Sequence, residues 1–453
     1  MSISESENRI FYNKLITLAL PIAFQSLMLA LVAACDALML GQVEQNEMTA
    51  VSLATQVQFV QNMFVLAVTS AGSILGAQYW GKGDRRTMSE IFCLMLRVSG
   101  FISFIFFLAC ELIPSSLMNI FSGDPVIISI GAAYLKIAGW SYLMTGVSQC
   151  YLTIMKITER VKVCAFVSTL AVILNIVFNG ILIFGLFGLP AMNSRGAALA
   201  TTMARFIELF LAIFLTQGKD HIHPLWSAFF FGNKQLFFDF MKQCLPLMGG
   251  SLFWGVGFTS YTAIIGHIGT DAAAANSVAS VVRDLICCLC NGIGSAAGII
   301  VGNELGAGHL EKGKAYGIKL KNISFVVGFL SMGLVLAVTP LVVNSVKLTD
   351  TARGYLTGMM VIMAVYMIGR SVNTVSINGV LDGGGDTIFD MYSLVVCMWC
   401  ISIPLAFFGA FVFHFPVLVV YACTCLDEVG KIPWVMIRLY KFKWVKDLTI
   451  SAD

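Results

Sequence analysis

Residues 20–41 read LPIAFQSLMLALVAACDALMLG, and this stretch decides the fold. It is an apolar run with one charge, about as long as the roughly 20 residues that cross a bilayer as a helix. Backbone groups find no water inside a bilayer, so such a run must be helical. Residues 245–266, LPLMGGSLFWGVGFTSYTAIIG, repeat the pattern at an offset of 225 (246 − 21 = 225), and residues 76–84 and 301–309 match at the same offset. The second half of the chain is therefore a copy of the first.

The composition extends this conclusion to the whole chain. Hydrophobic residues make up 58 % and charged residues 12 %, whereas a soluble domain carries about 25 % charge. Each copy holds an even number of spans, so the two copies run parallel. We predict an all-α integral membrane protein with two pseudo-symmetric six-helix bundles, residues 1–220 and 221–453. Its twelve spans are roughly 15–40, 51–79, 91–113, 126–155, 162–187, 194–216, 237–266, 275–303, 316–343, 353–380, 388–413 and 416–439.

The distribution of lysine and arginine predicts the orientation in the membrane. With both termini inside, twenty of the 28 basic residues fall on cytoplasmic segments, four on outer segments and four within spans. Cytoplasmic loops of membrane proteins carry such an excess. We therefore expect a multi-pass protein of the bacterial inner membrane with both termini in the cytoplasm.

Asp36 is the sharpest candidate for function. It lies deep in the first span and has no basic neighbour in sequence. A carboxylate inside a bilayer is costly unless it is paired or protonated, so it either binds a cation reversibly or serves as a structural cap or ion-pair partner. The repeat places Tyr261 at the matching position (36 + 225 = 261), so one half alone keeps the acid, as expected for a coupling site.

Polar residues of other spans could complete a cation-coupling site around Asp36. Asn175 and Asn179 are four residues apart and share one helical face, and Thr201 could add a hydroxyl from the sixth span. Such amides either bind a cation or form interhelical hydrogen bonds. Pro21 lies 15 residues before Asp36, about 22 Å along the helix, and is either a moving hinge or a static kink.

Another set of residues predicts a substrate cleft between the two halves. The second span is polar on part of its surface, which is typical of a helix that faces a water-filled interior. Charges inside the spans pair in sequence as Arg205 with Glu208 and Asp427 with Lys431. Arg283 and Asp284 point about 100° apart on a helix and so need other partners. The candidate cleft residues are Gln56, Gln58, Gln61, Asn62, Tyr261, Arg283 and Arg370, of which Arg370 either faces the cleft or neutralises a distant acid.

The sequence lacks the motifs that mark several other classes of function. The sequence has no GxxxxGK[ST] phosphate loop and no HExxH or paired zinc ligands, and its five histidines do not cluster. We therefore expect no catalytic residues, no metal site, no cofactor and no enzymatic activity. A membrane-embedded enzyme would need clustered acids or histidines, and a channel would need no coupling acid.

These motifs together resemble the multidrug and toxic compound extrusion (MATE) family over nearly the whole chain. They are LPIAFQ at 20–25, the element from Asp36 to Gly41, GAQYWGKGD at 76–84, the two asparagines of LNIVFNGILIFG, RGAALAT at 195–201 and GGGDT at 383–387. The resemblance implies two six-helix lobes and export of organic cations and other xenobiotics in exchange for H⁺ or Na⁺. It also implies that Asp36 is the coupling acid, with Asn175, Asn179 and Thr201 as its polar shell.

The resemblance is closer to the DinF-like branch than to the NorM-like branch. Asn179 stands where many members similar to the DinF type have an aspartate, which favours H⁺ over Na⁺. The seventh span has no acid, and the tenth presents Arg370, so a second-lobe Na⁺ site of the NorM type is not expected. The expected partners are small organic molecules and membrane lipid, with no nucleic acid, and the protein is expected to be a monomer. The alternative is a flippase for a lipid-linked saccharide, which would need more basic residues in the cleft.

Overall fold

The computed structural model describes residues 5–40, 44–188, 190–218, 221–225, 229 and 233–449. The side chains of residues 32–34, 36–38, 40 and 187 lie outside the described part as well. Within it the chain is helical and forms no strand, which confirms the predicted all-α class. In chain order the helices are α1 Glu5–Leu40, α2 Gln45–Lys82, α3 Arg85–Leu112, α4 Pro114–Asn119, α5 Pro125–Ile157, α6 Val161–Phe184, α7 Asn193–Leu215, α8 Lys234–Ile268, α9 Thr270–Gly306, α10 Leu310–Ser345, α11 Asp350–Asn373, α12 Thr387–Leu394, α13 Ile403–Phe411, α14 Val417–Val429 and α15 Ile432–Tyr440.

These helices account for the predicted spans. Ten helical stretches within the described ranges are long and apolar enough to cross a membrane. The tenth predicted span continues from α11 into a π-helix, Thr374–Leu381. The eleventh joins α12 to α13 through a second π-helix, Val395–Ser402. The twelfth is not one helix but two, α14 and α15, separated by a turn at Gly430–Lys431.

Local sequence signals set the ends of the helices. Asp84 precedes α3, and its carboxylate accepts from the backbone N–H groups of Arg86 and Thr87 at 3.1 and 3.0 Å. Asp124 does the same for Val126 at the start of α5, where Pro125 occupies the first turn. Such caps satisfy backbone donors that have no partner inside the helix. Gly185 ends α6 at a φ of +70°, a conformation that glycine adopts without strain.

The chain forms two compact units. The first-half unit comprises Gln25–Gly76 and Asp84–Cys244, and the second-half unit comprises Met1–Phe24, Ala77–Gly83 and Leu245–Asp453. The predicted boundary between residues 220 and 221 concerns the sequence repeat and stays a prediction. The core of the first-half unit includes the fully buried Cys110, Met118, Leu135 and Tyr142.

Two repeat-related helix ends cross closely within the second-half unit. A Cβ on Gly81 would lie 2.0 Å from the carbonyl oxygen of Asn303, and a Cβ on Gly306 would lie 1.9 Å from that of Gln78. The offset of 225 relates Gly81 to Gly306 and Gln78 to Asn303, so the two contacts are reciprocal. Only glycine allows backbones to approach this far, which explains why both copies have it.

The GGGDT segment also has a structural role in the second-half unit. Asp386 binds Arg438 with two hydrogen bonds of 2.6 and 2.8 Å, a fork that fixes both side chains. A Cβ on Gly384 would meet the carbonyl oxygen of Trp444 at 1.9 Å, and Trp444 is fully buried. The segment thus anchors the end of the chain after α15.

Candidate functional site

The structure brings together three of the four predicted coupling residues. Asn175 and Asn179 lie one turn apart on α6, and both are buried, with 6 % and 1 % of their surface exposed. The Asn175 amide nitrogen donates to the Thr201 hydroxyl on α7 at 3.2 Å. The Asn179 nitrogen donates to the Asn175 carbonyl oxygen at 3.1 Å. These three residues, the first-half cluster, form a neutral hydrogen-bonded chain across two helices.

The fourth coupling residue is only partly described. Asp36 lies in α1, but its side chain is outside the described residues, so its role as the coupling acid stays a prediction. Gly41 lies outside them altogether. Pro21 lies inside α1, and its repeat partner Pro246 lies inside α8. Both helices continue through their prolines, so whether Pro21 moves also stays a prediction.

The predicted cleft residues of α2 fall into two groups. Gln56 and Asn62 are exposed and Gln58 is half-buried, as a polar lining requires. Gln61 differs, since its side chain is fully buried. Its amide nitrogen donates to the Ser103 hydroxyl at 3.0 Å and to the Tyr142 carbonyl oxygen at 2.8 Å. Gln61 therefore ties α2 to α3 and α5 and does not line an open surface.

Two charged pairs within spans test the helical spacing argument. Arg205 and Glu208 form the expected pair on α7, with 2.7 Å between Nη1 and Oε2. The expectation that Arg283 and Asp284 need other partners is wrong. The Arg283 Nε and Nη2 atoms donate to the Asp284 carboxylate at 3.0 and 2.9 Å. The long arginine stem folds back although the two Cβ atoms diverge, and the guanidinium also lies 4.4 Å from the centre of the Phe258 ring.

Arg370 neutralises an acid far away in sequence. Its Nη1 atom donates to the Glu428 carboxylate at 2.8 Å, and Glu428 is 4 % exposed. The Asn373 amide donates to the second oxygen of the same carboxylate at 2.6 Å. Of the two predicted roles for Arg370, the structure thus shows the ion pair. Glu428 was not among the predicted site residues.

The predicted pair of Asp427 and Lys431 is wrong. Neither residue has an ion pair within 4.0 Å in the described part of the chain, although Asp427 is 6 % and Lys431 4 % exposed. The backbone keeps helical dihedral angles at Gly430 and Lys431, but helical spacing only places two residues on one face and does not make their side chains meet. Lys431 is still close enough to act electrostatically on Asp427 and Glu428.

Tyr261, the repeat partner of Asp36, belongs to the same region. It is 7 % exposed and lies near Ser402 and Asp427. We call Arg370, Asn373, Asp427, Glu428 and Lys431 the second-half cluster. Two signals in the sequence could have revealed it: adjacent acids at the middle of an apolar span, and an intramembrane arginine without a local acid.

Comparisons with known proteins agree with the fold and with the repeat. The MatE family model matches residues 21–181 and 246–408. The two matched segments begin 225 residues apart (246 − 21 = 225), which is the offset of the internal repeat. The matched residues make up more than half of the chain.

Similar proteins cover almost the full length of the chain. The uncharacterized transporter YisQ of Bacillus subtilis is 22 % identical over 95 % of this chain and 93 % of its own length. A probable multidrug resistance protein NorM of Rhizobium meliloti is 24 % identical over 84 % of this chain and 82 % of its own. The solved structure of an aspartate-to-asparagine mutant of the MATE transporter VcmN from Vibrio cholerae has a TM-score of 0.88 at 14 % identity, covering 97 % of this chain and all of that one. At that identity the likeness shows the fold.

Proposed function

Because this chain belongs to the MatE family of multidrug and toxic compound extrusion transporters, we propose that it exports organic cations, drugs or other xenobiotics in exchange for H⁺, with Na⁺ as the other candidate ion. The proposed place is a bacterial inner membrane with both termini cytoplasmic, supported by the lysine and arginine asymmetry. Transport proceeds by alternating access without catalysis, cofactor or bound metal. The observation that carries the proposal is the match of the family to both repeats.

In this proposal Asp36 couples the ion to transport. A carboxylate that gains a proton loses its charge, and a transporter needs a group that differs between its two states. The first-half cluster supplies groups that can hydrogen-bond to Asp36 whether it is protonated or ionised, since an amide both donates and accepts hydrogen bonds. Asn175, Asn179 and Thr201 carry no charge of their own, so a proton on Asp36 would change the charge of the whole site. A single carboxylate with neutral partners favours H⁺ over Na⁺.

The substrate contacts would come from the polar surface of α2. Gln56, Gln58 and Asn62 are the predicted cleft residues of this helix that remain accessible. Amide side chains both donate and accept hydrogen bonds, so such a surface can meet the polar groups of varied organic molecules. Arg283 and Arg370 are engaged by Asp284 and Glu428, so they offer little free charge to a pyrophosphate. This weakens the alternative of a lipid-linked saccharide flippase.

Inverted membrane vesicles test the function and the ion together. We expect uptake of a fluorescent organic cation when a pH gradient is imposed with Na⁺ absent. We expect little uptake when a Na⁺ gradient is imposed with the pH clamped, and none in vesicles that lack the protein. Strong uptake driven by Na⁺ at constant pH would contradict H⁺ coupling. No uptake of any organic cation under either gradient would contradict the export proposal.

A further inference from the structure

Three helical segments of the second-half unit depart from regular α-helix. They are the π-helix Thr374–Leu381 after α11, the π-helix Val395–Ser402 after α12 and the turn at Gly430–Lys431 between α14 and α15. π-Helical turns are frequent at functional sites. Interrupted helices within a membrane commonly build the ion sites of transporters. The turn falls at the middle of the predicted twelfth span, 416–439.

The side chains of the second-half cluster lie beside these irregularities. Arg370 and Asn373 immediately precede the first π-helix, and Asp427 and Glu428 lie just before the turn. Charged groups in a membrane are expensive, so a group of them at an interrupted helix indicates a function.

The charges of this region do not balance. Its two cations are Arg370 and Lys431. Its carboxylates are Asp427, Glu428 and the half-buried Asp390, which Lys431 and Glu428 both influence, and the buried Asp382 lies beside Asp390. The nearby Arg283 is neutralised by its own partner, Asp284. The carboxylates therefore outnumber the cations, and a proton on one of them would reduce the excess of negative charge.

Asp427 forms no ion pair within 4.0 Å among the described residues, and the backbone N–H of Glu428 is the partner of its carboxylate. Glu428 receives Arg370 on one oxygen and Asn373 on the other, so its carboxylate is satisfied as an ion. The Oδ1 atom of Asp427 makes no hydrogen bond to the described protein although the residue is 94 % buried (6 % exposed). The hydroxyl groups of Tyr261 and Ser402 are also buried and lie beside each other, with no other hydrogen-bond partner among the described residues. Buried polar atoms without protein partners point to a ligand, because leaving them unsatisfied is costly.

None of the other described groups around Asp427 donates a hydrogen bond to its Oδ1 atom. Those that face it or its immediate neighbours are Tyr261 of α8, Arg283 and Cys287 of α9, Tyr366 and Arg370 of α11, Asp390 of α12, Cys397 of the π-helix, and Cys425, Glu428 and Lys431. The two arginines are engaged by other acids, and the thiols are weak donors.

We propose that Asp427 is a second proton-binding carboxylate, in the second-half unit. This inference rests on the proposed function, because it assigns a further H⁺ site to the same transport cycle. A proton taken from a hydronium ion, which leaves as water, bonds to Oδ1, removes the negative charge of Asp427 and gives it an O–H donor. The hydroxyl oxygen of Tyr261 is the nearby acceptor. Release of the proton restores the negative charge beside Lys431.

Infrared difference spectra between acidic and neutral pH test the proposal on the reconstituted protein. A carboxylic acid that gains a proton shows a carbonyl stretch that its ionised form lacks. We expect one such band to be lost in Asp427→Asn and another in Asp36→Asn. Asp350→Asn, which removes an exposed carboxylate, should lose neither. A spectrum of Asp427→Asn identical to that of the wild-type protein would overturn the inference.

Two further measurements keep the test decisive. Asp427→Glu keeps a carboxyl group, so its spectrum should retain the band at a shifted frequency. This variant tests the proposal even if Asp427→Asn does not fold. Addition of Na⁺ at constant pH should leave the Asp427 band unchanged, and its suppression would assign the site to Na⁺ and overturn the proton assignment. The Asp36→Asn spectrum reports on the proposed coupling acid separately, so failure at either residue can be told from failure at the other.

Discussion

The two halves of this chain share a backbone plan but differ in the chemistry that they bury. The first-half cluster is a neutral chain of Asn179, Asn175 and Thr201 on two regular helices. The second-half cluster joins charged residues of α11 and α14 around an interrupted helix. The repeat retains the glycines at the crossing of α2 and α9, where backbones touch, but pairs Asp36 with Tyr261. The repeat thus preserves packing, while the polar sites have diverged.

The largest expected difference between the clusters is in stability. Arg370→Met should leave the buried Glu428 carboxylate without its cation and cost about 3–5 kcal/mol. The expected result is a large fall in the melting temperature of the purified protein, measured by its tryptophan fluorescence. Replacing Glu428 by Gln in the same protein should recover much of the loss, because the uncompensated charge is then gone.

The matched control lies on the same helix. Arg353 pairs with Asp350 at 3.7 Å, but both side chains are well exposed. Arg353→Met should therefore cost about 0.5 kcal/mol or less. Equal losses in Arg353→Met and Arg370→Met would contradict the view that the second-half cluster is held by a buried ion pair.

Comparison of the two prolines sharpens the functional difference. Pro21 and Pro246 occupy matching positions in α1 and α8, but only α1 carries an acid further along. A proline inside a helix removes a backbone hydrogen bond and leaves a point that can bend. If α1 bends when Asp36 is protonated, Pro21→Ala should abolish most gradient-driven export, whereas Pro246→Ala should retain it.

The accessibility of α1 decides whether Pro21 is a hinge. Single cysteines placed along α1 should change their labelling rate between high and low pH, and Pro21→Ala should remove that change. Normal expression, near wild-type transport and unchanged accessibility in Pro21→Ala would reject the hinge and leave Pro21 as a static kink.

Of the two clusters, the first-half cluster is expected to show the smaller effect on stability. Asn175→Ala removes two hydrogen bonds, but hydrogen bonds between membrane helices are worth only about 0.6 kcal/mol each on average. The melting temperature should fall slightly, and by a similar amount in Thr201→Val, which removes one of the two partners. A loss as large as that of Arg370→Met would show that the neutral cluster is as important for stability as the charged one.

Periodic features could be predicted from the sequence, whereas long-range pairing could not. The apolar runs, the repeat and the shared face of Asn175 and Asn179 follow from spacing along one helix. The hydrogen bond from Asn175 to Thr201 depends on how α6 and α7 pack. The expectation that these two residues lie together came from the resemblance to a family. Arg370 and Glu428 are 58 residues apart, so no local spacing joins them. The error at Asp427 and Lys431 arose because spacing along one helix places two residues on one face but does not fix where their side chains point.

The most direct test of the proposed transport cycle is export by Asp36→Asn under an imposed pH gradient. Asparagine keeps the size of the side chain but cannot change its charge, so we expect a folded, membrane-inserted protein whose gradient-driven export is lost. Asp350→Asn, at an exposed position, should transport like the wild-type protein. Full export by Asp36→Asn at normal expression would contradict the assignment of Asp36 as the coupling acid.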